Sequence, residues 1–191
     1  MIAFTAQRDN PLNTAERVAQ AHGAASPLTR RAWAVACLTS CTVAAAFDGP
    51  LTARVSTCVT GVLLATAALV DVHELRLPNR LLASAFTAAL LAAAANGALG
   101  RSLLGALVAG GLMLIVALAR SVGMGDVKMA GVVGAGVAQV QLVVAPVAIA
   151  VAALAAATAG VVLGRSRLPL GPALWLGWAV ALAVPVGRWF A

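Results

Sequence analysis

Six stretches of this chain contain no Asp, Glu, Lys or Arg: 32–47, 55–70, 81–100, 102–119, 129–164 and 168–187. A helix crossing a bilayer needs about 20 apolar residues, with about 17–25 usual. Several runs reach that length outright, and the first two reach it with their flanks. A backbone in lipid must satisfy its own hydrogen bonds, so runs of this kind cross as helices. The expected fold is therefore all-α, a polytopic integral membrane bundle of about six to seven transmembrane helices. Composition agrees, with 62% hydrophobic and 10% charged residues against about 45–50% and about 25% in soluble domains. A soluble enzyme, a nucleic-acid binder and a disordered chain are excluded.

The runs predict helices near 32–47, 55–71, 81–99, 103–119, 127–139, 142–163 and 172–189. The run 129–164 is too long for one crossing, and Gln139, Gln141 and Pro146 in its middle predict a turn near 139–141. Seven crossings from a cytosolic N-terminus put Arg8, Arg17, Arg30, Arg31, Arg76, Arg80, Arg120, Lys128, Arg165 and Arg167 on the cytosolic side. Arg54, Arg101 and Arg188 fall opposite. This bias follows the tendency of basic loops to stay inside. The net charge of +7 thus marks sidedness and implies no nucleic-acid partner. Residues 1–30 are expected to form a flexible cytosolic tail, and 31–191 the membrane-embedded domain.

Cys37, Cys41 and Cys58 lie inside apolar runs and form no CxxC pair. They read as small hydrophobes, without a metal site or a disulfide framework. Gly131, Gly134 and Gly136 are expected near one side of a helix, where small residues let backbones approach. Trp175, Trp178 and Trp189 read as membrane-interface anchors.

Acidic residues at or inside spanning helices are costly and need a reason. Of the six acids, Asp9 and Glu16 sit in the tail and Asp48-Gly49-Pro50 reads as a turn, leaving Asp71, Glu74 and Asp126. Asp71 closes the second run and Asp126 opens the fifth helix, two crossings later, so both return to one face. Two carboxylates that approach cannot both ionise cheaply. They share a proton, one acting as base on a water while the other donates to a carbonyl, as in aspartic proteases. The simpler roles are a helix-end Asp71 paired with Arg76 or Arg80, and an Asp126 facing the helix dipole. Gly123 and Gly125 around Met124 allow close backbone approach or positive φ.

Three segments carry a resemblance. Asp71-Val72-His73-Glu74-Leu75-Arg76-Leu77-Pro78-Asn79-Arg80 resembles the first signature of the type IV prepilin peptidase family. Gly123-Met124-Gly125-Asp126-Val127-Lys128 resembles its GxGD segment. Leu168-Pro169-Leu170-Gly171-Pro172 resembles a third, with Leu170 in place of the usual Phe. The resemblance covers roughly residues 55–185 and implies a membrane aspartic peptidase with Asp71 and Asp126 as its catalytic pair and no cofactor or metal. It implies a type IV prepilin-like or pseudopilin partner, cut between a basic leader and a bilayer-embedded helix. It also implies a bacterial-type cytoplasmic membrane with the site facing the cytosol. The cysteine-rich insert of larger members is missing, which puts methyltransferase activity in doubt.

Supporting roles are expected for Glu74 (receiving the basic leader, or a solvated carboxylate beside Arg76), Pro78 (stopping the second helix), Asn79 (capping the third), Gly123, Gly125 and Lys128. The lysine would steady Asp126, contact substrate carbonyls or simply snorkel. Two other classes compete: a small proton- or cation-coupled transporter, whose acids would lie near the bilayer midplane, and a catalytically silent assembly factor. A presenilin-like GxGD protease fits less well, because this chain has no Tyr for that class's first motif.

Overall fold

A computed structural model describes residues 27–46, 50–74, 77–119, 122–164 and 168–184. Residues 1–26 of the expected tail, with Asp9 and Glu16, the turn at Asp48, and Arg76, Arg120, Arg165, Arg167, Arg188 and Trp189 lie outside the described residues, while 27–30, expected in the tail, are helical. Among the described residues seven helices follow in order: α1 Pro27–Ala46, α2 Leu51–Glu74, α3 Asn79–Ala95, α4 Leu99–Leu118, α5 Met124–Ala138, α6 Val144–Leu163 and α7 Gly171–Ala183. No strand occurs among the described residues. The all-α expectation holds. By length and composition, α2, α4 and α6 can cross a membrane, while α3 and α7 are shorter apolar helices.

Local chemistry explains the breaks. Pro78 lacks an N–H and disfavours helical backbone at the residue before it. It sits extended (φ −73°, ψ 117°) as the N-terminal cap of α3. Asn79 is therefore the first helical residue, and no side chain caps α3; the expected capping role is incorrect. The expected helix over 81–99 is also too long. Asn96 caps the end of α3, Gly97 turns left-handed (φ +64°) and the Ala98 N–H returns to Ala93 O at 2.7 Å. Glycine takes that conformation without a Cβ penalty. The turn between α5 and α6 falls at 139–143, close to where the two glutamines predict it.

Many of the buried positions are small, and many of the large apolar side chains are exposed. Ala53, Ala67, Ala85, Ala92, Ala109, Ala135 and Ala145 are buried, whereas Leu107, Ile115, Leu118, Leu154, Val161 and Val162 are exposed. A soluble core would reverse this; a surface facing lipid tails does not need to. The chain is accordingly an integral membrane protein. Helices α4 and α5 meet through glycines. A Cβ on Gly105 would run into Gly134 O and Ala138, and one on Gly134 into Gly105 O and Ala109. Gly131 faces Ala106 of the same partner, but Gly136 faces Trp178 and Thr60. The three glycines therefore serve two interfaces rather than one side. Trp178 is fully buried, wedged against Gly61 and Gly136, so its expected place at the membrane interface is incorrect. Trp175 is half-buried and donates from Nε1 to Ser40 Oγ at 3.4 Å.

Short connections make successive helices antiparallel. One end of the bundle thus carries the C-terminus of α2 and the N-termini of α3, α5 and α7. The opposite end is tied by Gln139, whose Nε2 donates to Gly136 O (2.8 Å) and Thr57 Oγ1 (3.4 Å) while its Oε1 accepts from Asn96 Nδ2 (3.2 Å).

Candidate active site

Asp71 lies in the last turn of α2 and is buried. A buried carboxylate needs partners that offset its lost hydration. One comes from α7: the Gly171 N–H donates to Asp71 Oδ2 at 2.9 Å. Gly171 is the first residue of its helix, where backbone N–H groups have no intrahelical acceptor and the dipole favours negative charge. The approach is close. A Cβ on Gly171 would lie 3.0 Å from Asp71 Oδ2, 3.1 Å from Asp71 Cβ and 3.0 Å from Ala68 Cα. The segment Leu168–Pro172 thus aims a helix N-terminus at the buried acid. Sequence reasoning quoted this segment without giving it a task, although a glycine at a helix start followed by a proline was its visible signal.

Asp126 stands in the first turn of α5, before the uncharged stretch that begins at Met129. It is half-buried. Gly123, the N-terminal cap, donates its N–H to Asp126 Oδ2 at 3.2 Å and accepts the Asp126 N–H at 3.1 Å. Both acids stand at the same end of the bundle, although α2 and α5 touch only slightly.

The flanking glycines act differently from expectation. Gly123 has φ −81°, a conformation open to any residue, and among the described residues only Gly97 and Gly164 have positive φ. Gly125 does serve close approach, but to the chain itself: a Cβ there would meet Leu77 Cβ at 3.2 Å. It lets the start of α5 lie against the segment joining α2 to α3, which helps hold the two acids at one end.

Lys128 and Asn79 are brought together. Lys128 Nζ donates to Asn79 Oδ1 at 2.9 Å, joining α5 to α3. Two residues on from Asp126, Lys128 points to another side of the helix, and its partner here is Asn79. Glu74 is exposed at the last position of α2, with exposed His73 beside it. Asn79 and Lys128 also stand at an open apolar groove of about 460 Å³ between α3, α4 and α5, lined by Leu82, Phe86, Leu107 and Val127.

Two carboxylates with unequal surroundings, one buried and one half-buried, can divide base and acid roles. Among the described residues no three His, Cys, Asp or Glu side chains group as a metal site. A family model, that of the type IV leader peptidase family, matches residues 58–164. The match spans Asp71 and Asp126 and stops short of Gly171. No curated protein and no solved structure gives a significant match.

Proposed function

Because the chain belongs to the type IV leader peptidase family, we propose that it is an aspartic endopeptidase in which Asp71 and Asp126 activate a water between them. Its substrates are type IV prepilin-like or pseudopilin proteins, and it removes their basic leaders at the cytosolic boundary of a bacterial-type inner membrane. The observation that carries this reading is that Asp71, in the last turn of α2, and Asp126, in the first turn of α5, stand at the same end of the antiparallel bundle. The ionised acid takes a proton from water as the oxygen attacks the scissile carbonyl. The protonated acid donates to the carbonyl oxygen; the intermediate then collapses as the leaving amine takes the proton gained from water and a hydroxyl returns its proton to the other acid. Asp71, buried and accepting the Gly171 N–H, and Asp126, half-buried in the first turn of α5, are the two acids.

Exposed Glu74 supplies a negative charge near the acids for a basic leader. The groove beside Val127 and the Asn79–Lys128 pair gives the substrate's apolar segment a place to lie. A transporter would need its acids near the bilayer midplane, whereas both stand at helix ends. The test is cleavage of a co-expressed prepilin. Asp71→Asn and Asp126→Asn should each lower the rate by about 10²–10⁴-fold, the range of a general acid or base, at unchanged protein level. Normal cleavage by either variant overturns the mechanism.

A further inference from the structure

The three cysteines, unremarkable in sequence, are not independent in space. Cys41 of α1 and Cys58 of α2, 17 positions apart, face each other with their sulfurs 3.1 Å apart. They belong to the two arms of one helical hairpin. Cys58 stands thirteen positions before Asp71, about 20 Å along α2 at 1.5 Å per residue, so the pair lies well away from the candidate active site. Cys41 is exposed and Cys58 half-buried, which leaves a path for a reagent arriving from the lipid side.

We propose that Cys41 and Cys58 are a reversible redox pair whose disulfide clasps α1 to α2. A disulfide needs an S–S separation of about 2.05 Å, so closure asks the two sulfurs to approach by about 1 Å, within reach of side-chain rotation. All three thiols are free in the structure. The oxidant is another disulfide, by thiol–disulfide exchange. One cysteine of the pair, as thiolate, attacks a sulfur of the oxidant, forming a mixed disulfide and releasing one thiol. The second cysteine then attacks the mixed disulfide at this chain's sulfur and releases the other thiol. The chain loses two electrons and two protons, and the oxidant becomes two thiols. The clasp strengthens a hairpin that other side chains hold more lightly, such as Trp33, whose Nε1 reaches Thr66 Oγ1 at 3.4 Å.

Cys37 shares the helix of Cys41 one turn earlier and provides the control. Tryptic cleavage after Arg31, Arg54 and Arg76 places Cys37 and Cys41 on one peptide and Cys58 on the next. The purified protein is treated with one equivalent of dithiodipyridine, an apolar aromatic disulfide, and the peptides are mapped by mass spectrometry with and without reduction. The expected product is a reducible link between the two peptides, two hydrogens lighter than their sum. Cys37→Ser should keep it, whereas Cys41→Ser and Cys58→Ser should each lose it. The oxidised wild type should also melt at a higher temperature than the reduced protein, with no such shift in Cys58→Ser. No link, a link that survives Cys41→Ser, a link between two copies of the chain, or a linked protein that melts no higher would each overturn the proposal.

Discussion

At the scale of the residue, the Asp71 carboxylate is held, among the described residues, by the Gly171 N–H. Gly171→Ala brings a methyl within 3.0 Å of Asp71 Oδ2, so the acid must move and the 2.9 Å bond is lost or bent. A hydrogen bond to a charged group contributes about 1.5–3 kcal/mol, and about 1.4 kcal/mol is tenfold in rate. The expected loss is about 10–100-fold in kcat with KM little changed, measured on a purified prepilin in detergent; equal kcat would mean that α7 does not position the acid.

At the scale of the element, the seam between α4 and α5 is set by residues that have no side chain. Gly134→Ala places a methyl against Gly105 O and Ala109, backbone and neighbour that cannot swing aside, so the helices must separate. Overpacking of this kind costs about 1–3 kcal/mol. Gly111→Ala, on the same α4 but with nothing within 4 Å of its Cβ, should instead gain up to about 1 kcal/mol from helix propensity. Unfolding of both variants in mixed micelles should move in opposite directions. The helices themselves were legible in sequence because uncharged runs have lengths, and Pro78 and the Gln139–Gln141 segment punctuate them. Their faces were not. In Ala-rich helices the lipid-facing and core-facing sides are both apolar, so no periodicity distinguishes them. Trp178 looked like an interface anchor for that reason, and Gly136 looked like a neighbour of Gly134. The Asn96–Gly97 turn was missed because it interrupts an uncharged run without charge or proline.

At the scale of the whole molecule, the antiparallel order of seven helices brings Asp71, Asn79, Asp126, Lys128 and Gly171 to one end. The sequence could place the two acids at that end from the number of crossings, since side-to-side alternation is simple counting. It could not show what holds them. The Gly171 N–H reaches Asp71 across 100 positions, and the Lys128–Asn79 bond spans 49; contacts of that range arise from packing, which a single chain read in order does not reveal.

Helix α7, whose Gly171 N–H holds Asp71, is short. The thirteen residues of α7 span about 20 Å, and the fifteen of α5 about 22 Å, against about 30 Å of hydrocarbon. Hydrophobic mismatch of this size is relieved by local thinning of the bilayer. In a bilayer thinned around α5 and α7, headgroups and water would stand nearer the end that carries the two carboxylates. A hydrolase embedded in lipid can thus draw its second reactant through a dimple in the membrane itself.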